Sequence, residues 1–449
     1  MSWCLVPTGM LAWLLAVPTL AQAQWPQWRG PLGTGVAPDA DPPTTWSETK
    51  NIRFKVEVPG HGQGTPIVFQ DRIFLTTAIP FGKHVGPVPD KMPGAHDNAP
   101  LTQHQEFAAL CYARNGKLLW KRTLRKMLPH AGAHKTGTLA SASPVTDGEH
   151  LFAYFGSCGV FCLDVHGKVL WNKDLGDMRV KHGHGEGSSP ALHGDTLVIN
   201  WDHEEQSFLV ALDKRTGEER WRVDRDEVTS WSTPIIVEHA GKQQVIVSGT
   251  KRLRGYDLAT GKVVWECRGL SHNIVASPVA AGGMVYAGSS YEKRRMLAIR
   301  LEGAEGDITH TDNVVWRRQR RTPYVPSPLL YGDWLYFLNH YQGFLCKVKA
   351  RTGEEPHKPL RLPEMFQIYA SPVGAGGRVY ITDRDGVTIV LSHGPGKSKV
   401  LAMNKLEDSF SASAAVVGRE LYLRGDRYLY CIAKETIKTE SRPQSRPGR

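Results

Sequence analysis

Long apolar segments are almost absent from the 449-residue sequence. The one candidate lies at the start, where an apolar core runs from Met10 to Val17 and a small-x-small signature ends at Ala23. This core is too short to anchor a chain in a bilayer, and no other segment has the length and apolarity of a membrane helix. We therefore predict a cleaved signal peptide over residues 1–23 and export of the chain, although Lys and Arg are absent ahead of the core.

Cysteine is also scarce, with seven residues in the chain. Cys4 precedes the apolar core and does not stand at a cleavage site, so we expect no lipid anchor. The other six remain after cleavage, and an even number in an oxidising compartment permits disulfides. Most of them lie in apolar strand patterns, which favours buried free thiols. Cys158 and Cys162 flank one turn and are the pair we would expect first.

Acidic residues are outnumbered, because 55 Lys and Arg against 44 Asp and Glu give a net charge of +11. For an exported protein this excess argues against nucleic acid as a partner. It is compatible with solubility alone or with a diffuse attraction to anionic surfaces and glycans. Part of the charge lies in the polar C-terminal segment, residues 436–449, which we predict to be a disordered basic tail.

The sequence contains many copies of one short repeat. A Ser or Thr followed by Pro and then by apolar residues occurs seven times, and an eighth copy has Ala in place of Pro. The copies begin at Thr65, Ser143, Ser189, Thr233, Ser277, Ser327, Ser371 and Ser413. Six of the seven steps match the period of propeller blades, roughly 40 to 50 residues, and the first is lengthened by an insertion over residues 78–104.

A complete copy has the pattern of four short strands separated by glycine turns. We predict an all-β fold, an eight-bladed β-propeller of four-stranded antiparallel blades over residues 51–435, preceded by an extended arm over residues 24–50. The last copy has only three strands, so a strand within residues 51–58 is expected to complete it and close the ring. Aromatic residues on the outer strands are expected to fill the space between blades. They are Trp120, Trp171, Trp221, Trp265 and Trp316.

The segments ALDKRTGEERW (residues 211–221) and GYDLATGKVVW (residues 255–265) share an Asp, a Thr-Gly turn and a closing Trp. This pattern resembles the repeat of quinoprotein-type propellers, found in pyrroloquinoline quinone (PQQ) dehydrogenases and in the outer-membrane assembly factor BamB. The start WPQWRGP (residues 25–31) resembles secreted bacterial PQQ-binding-like β-propeller repeat proteins. For an enzyme of this group the resemblance implies PQQ and calcium, with adjacent cysteines and a Glu/Asn/Asp set. No two cysteines are adjacent here, and the anchoring cysteine of BamB-like proteins is missing.

The loops that enter each inner strand share one face of a propeller with the loops joining its second and third strands. Side chains on these loops that can bind a ligand are His61, His134, Lys135, His184, Glu186, Trp231, His272, Asn273, Tyr324 and Tyr369. His182, His184 and Glu186 alternate, which places them on one side of an extended segment. The candidate metal set is His134, His184 and Glu186, because imidazole and carboxylate bind transition metals. Glycine-rich loops that expose histidines without any ligand are the simpler alternative.

These features predict an exported, monomeric propeller that binds or scaffolds an envelope protein or a glycan through its His-rich face. We assign no catalytic residue and predict no cofactor, since no catalytic motif is assembled in the sequence. The alternative is a PQQ-dependent oxidoreductase with PQQ on the axis and calcium nearby. A third hypothesis is a metal-dependent hydrolase that uses His134, His184 and Glu186.

Overall fold

The structure is a computed structural model that describes residues 24–434. The predicted signal peptide, residues 1–23, and the predicted basic tail, residues 436–449, lie outside the described residues. Strands dominate the described part, whose helices are two single 3₁₀ turns, Gly156–Cys158 and Lys181–Gly183. No helix within residues 24–434 has the length and apolarity needed to cross a membrane.

Eight antiparallel sheets surround a common axis, and the inner strand of each contacts the inner strands of both neighbours in a closed cycle. The predicted eight-bladed propeller is therefore confirmed. From the axis outward, blades 1 to 4 contain Ile67–Phe69, Arg72–Phe81, His104–Ala113 and Leu118–Met127; Val145–Thr146, His150–Tyr154, Val160–Asp164 and Val169–Lys173; Ala191–His193, Thr196–Trp201, Ser207–Asp213 and Glu219–Arg225; and Ile235–His239, Lys242–Ser248, Leu253–Asp257 and Val263–Cys267. Blades 5 to 8 contain Val279–Ala281, Met284–Ser289, Arg295–Arg300 and Val314–Arg318; Leu329–Tyr331, Trp334–Leu338, Phe344–Lys349 and Leu360–Arg361; Val373–Ala375, Arg378–Thr382, Val387–Ser392 and Val400–Lys405; and Ala415–Val417, Glu420–Arg424, Tyr428–Ala433 and Ile52–Glu57. We letter the four strands of a blade A to D from the axis outward.

Strand exchange between the two ends of the chain closes the ring, as predicted. Ile52–Glu57 pairs antiparallel with Tyr428–Ala433 and forms strand D of blade 8. Phe54 in this strand lies against Gly116 of blade 1, where a Cβ would be 2.8 Å from the Phe54 ring. A phenylalanine from the N-terminal strand therefore fills the position that tryptophan fills between other blades.

A ring of hydrogen bonds joins the blades around the axis and explains the repeated hydroxyl residue. At seven of the eight junctions, the backbone N–H of one repeat's Ser or Thr donates to the hydroxyl of the next, over 2.8–3.0 Å. These hydroxyls belong to Ser143, Ser189, Thr233, Ser277, Ser327, Ser371 and Ser413. The hydroxyl of the eighth member, Thr65, is buried without a hydrogen-bond partner.

Four of the five predicted tryptophans join neighbouring blades through the same contact. Each lies on a glycine in the C–D turn of the next blade and donates its indole N–H to a backbone carbonyl of that turn. The glycines have φ of +70° to +87°, a region that side chains rarely adopt. The pairs are Trp120 with Gly167, Trp171 with Gly217, Trp221 with Gly261, and Trp316 with Gly353.

Trp265 also packs in the core shared by blades 4 and 5, as predicted, but it does so through a different contact. Its side chain is fully buried, and its indole N–H donates to Gln244 Oε1 in the same blade at 2.8 Å. In blade 5 the short C–D turn is replaced by residues 301–313, whose Gly306–Asp307 adds a parallel strand to the outer edge of blade 4. The glycine turn against which Trp265 would pack is therefore missing from this segment.

The N-terminal arm, residues 24–50, lies across the end of the central channel. Its first residues pair with blade 1, and Val36–Ala37 pairs parallel to strand A of blade 7. Between these contacts the buried guanidinium of Arg29 donates to the carbonyls of Pro328 and Pro372, at 3.0 Å each. The arm also reaches the A–B turn of blade 8, where the Asp41 N–H donates to the Gly418 carbonyl at 2.7 Å, so it covers the channel on the side of the A–B turns.

The six cysteines of the described residues are free and buried. Cys158 packs in the core shared by blades 1 and 2, whereas Cys162 packs in the core shared by blades 2 and 3. The expected Cys158–Cys162 pair is therefore wrong, because the two side chains lie on opposite faces of the same sheet. The expectation of buried thiols is confirmed.

Candidate ligand-binding cavity at the propeller axis

A cavity of about 440 Å³ lies on the axis, within the usual size range of ligand pockets. Loops that enter the A strands form its walls, and Trp28 of the arm lines the end that the arm covers. The seven hydroxyls of the bonded ring also line it. Six of the ten predicted binding residues lie here: His134, His184, Glu186, Trp231, Tyr324 and Tyr369.

Blades 5 to 7 contribute an aromatic wall to this cavity. The Tyr324 ring stacks on His340, with ring centres 4.6 Å apart and planes 9° apart. Tyr291 lies 5.8 Å from Tyr324 on one side, and Tyr341 lies 5.7 Å from Tyr369 on the other. Burial raises the pKa of Tyr324, so its hydroxyl stays protonated and available as a hydrogen-bond donor.

Tyr291, His340 and Tyr341 were not among the predicted residues. They lie between strands B and C of blades 5 and 6, on the face where the topology places such loops. That topology was therefore the signal that could have found them. Their sequence context is that of an ordinary surface loop, and His340 has a φ of +63°, a conformation that local sequence did not reveal.

Four histidines from three segments meet at the opposite rim. His96 belongs to the insertion in blade 1, His134 precedes blade 2, and His182 and His184 precede blade 3. The ring centres of His96 are 4.7 Å from His182 and 4.9 Å from His184. The ring of His184 is 4.7 Å from His134 and 5.1 Å from His182. The insertion is fixed here because its strand Asn98–Ala99 pairs with the backbone at His134.

The environment of these imidazoles keeps two of them neutral. Burial and the neighbouring imidazoles lower the pKa of His184 to about 4, and burial lowers the pKa of His134. The Nε2 atom of His184 is buried without a hydrogen-bond partner. At neutral pH the cavity wall therefore offers uncharged ring nitrogens as hydrogen-bonding groups.

Glu186 lines the cavity, but its carboxylate is held by blade 2. The backbone N–H of Ser157 donates to Oε2 at 2.6 Å, and the Ser157 hydroxyl donates to Oε1. A Cβ on Gly156 would overlap this carboxylate, so the close approach requires glycine at that position. Burial raises the pKa of Glu186 to about 7.

The predicted alternation of His182, His184 and Glu186 is wrong. His182 lies in a 3₁₀ turn with φ of +63°, so the backbone is not extended. The rings of His182 and His184 are 5.1 Å apart, but the Glu186 carboxylate is held by Ser157 instead. No group of three His, Cys, Asp or Glu side chains within residues 24–434 is arranged to hold a metal ion. The structure brings His134 and His184 together, but the candidate metal set with Glu186 is not assembled.

Two predicted residues, His61 and Lys135, line a neighbouring cavity of about 400 Å³ beneath the insertion. The Lys135 ammonium donates to Asp97 of the insertion at 2.6 Å. This second cavity shares Gln63 and Thr136 with the axial one, so the two are adjacent.

The remaining two predicted residues, His272 and Asn273, do not line the axial cavity. His272 is 55% exposed, and its Nδ1 lies 2.9 Å from an Oε atom of Glu292. Asn273 is buried, with a φ of +52°. Their sequence position placed them correctly before strand A of blade 5, but it did not determine where their side chains point.

The chain belongs to the family described as outer membrane protein assembly factor BamB, whose model matches residues 105–358 and 205–439. The predicted family resemblance is therefore confirmed. A search of curated proteins found no sequence match for this chain.

Solved structures share the fold at low sequence identity. BamB from Moraxella catarrhalis matches with a TM-score of 0.52 at 15% identity, over 79% of this chain and 100% of that one. A europium-containing methanol dehydrogenase matches at 0.56 and 10%, over 89% of each chain. The quinohemoprotein alcohol dehydrogenase from Comamonas testosteroni matches at 0.60 and 9%, over 93% of this chain and 82% of that one. At these identities the likeness establishes the fold alone.

PQQ and calcium, which the resemblance implies for an enzyme, do not fit the axial cavity. Calcium requires several oxygen ligands, but Glu186 is the one acidic residue among the described residues lining the cavity, and Ser157 holds its carboxylate. No Lys, Arg or Cys of the described chain lines this cavity either. An anionic quinone would therefore find neither counter-charges nor the cysteine pair on its faces.

Proposed function

We propose that this chain is an exported binding module that engages a protein or another component of the bacterial cell envelope through the His-rich face of the propeller. The observation that supports the proposal is the difference between its two faces. One face carries the blade 1 insertion, the histidine cluster and the mouth of the axial cavity. The other carries the A–B and C–D turns, the longest of which, residues 301–313 in blade 5, packs on blade 4, and it is covered at the axis by the N-terminal arm.

The family supports an envelope setting, because its description names an outer-membrane assembly factor. The apolar start of the sequence and its small-x-small signature favour export to the periplasm or to the outside of the cell. Cys4 precedes the apolar core, so the proposal includes no lipid anchor. We propose a monomer, because the closed ring pairs the chain's own ends and needs no second copy.

Pulldown from bacterial envelope extracts tests this function. The test variant replaces residues 83–102 of the insertion by a short glycine turn and keeps strands Arg72–Phe81 and His104–Ala113 intact. The matched control carries Lys168→Ser and Lys262→Ser in C–D turns of the opposite face, where both lysines are exposed. We expect the control to recover the same partner as the wild type and the shortened variant to lose it. Equal recovery by all three proteins would contradict the assignment of the binding face.

A PQQ-dependent oxidoreductase remains the alternative hypothesis, and the lining of the axial cavity does not favour it. Titration of the purified protein with PQQ and Ca²⁺ separates the two. The binding-module proposal expects no saturable change in the quinone spectrum and no reduction of an electron-accepting dye by added alcohols. Saturable PQQ binding together with dye reduction would contradict the binding-module proposal and favour the oxidoreductase.

A further inference from the structure

The hydroxyl groups of the ring have protons that no acceptor among the described residues binds. Each of its seven bonded hydroxyls accepts a backbone N–H, and within residues 24–434 none of them donates a hydrogen bond. A hydroxyl carries one proton besides its acceptor lone pairs. All seven residues line the axial cavity, so the cavity offers a circle of hydroxyl donors to a ligand rich in oxygen acceptors.

Aromatic rings stand above this circle on two sides. Trp231 is fixed on one side by its indole N–H, which donates to the carbonyl of Gly185 at 2.7 Å. Tyr324, Tyr341 and Tyr369 form the other side. Flat aromatic faces pack against the C–H faces of a sugar ring while the ring's hydroxyls remain free for hydrogen bonds at its edge. A sugar ring therefore combines apolar faces with a polar rim. The two aromatic walls and the hydroxyl circle of the cavity match this combination.

The charge of the lining restricts the ligand further. The described residues around the cavity include no Lys or Arg, and the single carboxylate is turned to Ser157. Burial lowers the pKa of His134, His184 and His340, which leaves these imidazoles uncharged at neutral pH. A buried ligand charge would lack a partner here, and unpaired buried charges are costly.

We propose that the axial cavity binds the end of an uncharged sugar chain between Trp231 and the tyrosine wall, with its oxygens over the hydroxyl ring. The inference rests on the proposed binding role of this face and names the chemistry of the ligand. Its test is separate from the pulldown, which examines the blade 1 insertion and any partner that the insertion binds.

Isothermal titration with disaccharides tests the proposal on the full mature chain. The neutral probes are cellobiose and N,N′-diacetylchitobiose, the anionic probe is digalacturonic acid, and the cationic probe is the glucosamine dimer. We expect saturable binding of at least one neutral probe and binding at least about tenfold weaker for both charged probes. Saturation-transfer NMR with the wild type provides a second measurement, independent of any variant.

Three variants locate the binding. Trp231→Ala and Tyr369→Ala are expected to weaken the neutral probe at least about tenfold, and Tyr369→Phe is expected to retain it. Phe366→Ala is the matched control, because Phe366 lies in the same loop as Tyr369 but is 65% exposed and does not line the cavity. Circular dichroism and thermal melting verify that each variant is folded.

Two results with the wild type would overturn the proposal: no binding of either neutral probe at about 10 mM, well above a millimolar Kd, or equal or tighter binding of a charged probe. Binding that survives Trp231→Ala and Tyr369→Ala in folded protein would also overturn it, since the sugar would then lie elsewhere. Loss of sugar binding together with an intact, insertion-dependent pulldown would leave the proposed function standing. Failure of the pulldown with intact sugar binding would contradict the proposed function and leave the sugar-binding inference standing.

Discussion

The indole of Trp171 lies on Gly217 of the next blade so closely that a Cβ on Gly217 would be 2.7 Å from the ring. The indole N–H also donates to the carbonyl of Lys214 in the same turn, at 2.9 Å. Trp at the end of one repeat and Gly in the turn of the next are therefore two halves of one contact. Their regular spacing in the sequence records how neighbouring blades pack.

We predict that Gly217→Ala lowers the free energy of unfolding by about 2 to 4 kcal/mol, from left-handed backbone strain and overpacking against Trp171. Gly241→Ala is the control, because Gly241 has φ of +72° against +74° for Gly217 but has nothing within 4 Å of its Cβ position. Gly241→Ala should lower the free energy of unfolding through backbone strain alone, by about 1 to 2 kcal/mol. Urea unfolding of both variants measures the difference, and equal losses would mean that the Trp171 contact adds nothing.

The hydroxyl ring yields a second prediction. Ser277→Ala leaves the buried N–H of Thr233, which donates to the Ser277 hydroxyl at 2.8 Å, without an acceptor and should destabilise the fold by about 1 to 3 kcal/mol. Thr65→Val removes a buried hydroxyl that has no partner, so its effect should be close to zero or stabilising. Denaturant midpoints of the two variants measure this contrast. A Thr65→Val loss as large as that of Ser277→Ala would contradict the described ring.

Ring closure depends on Phe54 in the N-terminal strand. Phe54→Ala removes the ring that packs on Gly116 across the junction of blades 8 and 1, and we expect a loss of about 3 to 5 kcal/mol. Leu401→Ala is the control, since Leu401 also lies on an outer strand but is 47% exposed and should change stability by less than about 0.5 kcal/mol. Thermal and urea unfolding measure both. A small loss at Phe54 would show that closure does not rely on this side chain.

The sequence predicted the fold well because its signals are local. Each Ser/Thr-Pro step and each Thr-Gly turn specifies its own blade, and repetition reveals the ring. The exceptions arise where a distant segment takes over a local position. Phe54, from the N-terminal strand, takes the place of a tryptophan beside blade 1. Trp265 packs between blades 4 and 5 without a glycine turn, because residues 301–313 replace the turn it would contact.

The candidate site was predicted less completely, because it depends on where loops of different blades meet. His96 reaches His182 and His184 only through the path of the insertion, which no periodicity encodes. The direction of the Glu186 carboxylate depends on space left by Gly156 in another blade. Loop order along the chain predicted the face, whereas side-chain direction required the packed structure.

The buried thiols provide a prediction about chemical reactivity. Burial raises the pKa of Cys111, Cys267 and Cys431 to about 11, and the thiolate is the reactive form. We expect the native mature chain to show no thiols reactive toward Ellman's reagent and the denatured chain to show all six without prior reduction. Fewer thiols in the denatured, unreduced protein would reveal a disulfide and contradict the buried free cysteines.

Acid should weaken the histidine cluster. His184 has its pKa lowered from 6.5 to about 4 in the folded chain, so between these pH values the unfolded chain binds a proton that the folded chain does not. Stability therefore falls as the pH drops through this window. Glu186 works in the opposite direction, because its pKa is raised from 4.5 to about 7 and the folded chain takes up that proton first.

A variant comparison separates the two groups. His184→Asn removes the imidazole, so its urea midpoint should fall less than that of the wild type between pH about 7 and about 4.5. His166→Asn, at an exposed position in a C–D turn of the opposite face, is the control and should follow the wild type. Proton NMR of the wild type gives a direct check, because the His184 ring resonance should titrate near pH 4. If His184→Asn loses as much stability on acidification as the wild type, the cluster does not cause the acid sensitivity.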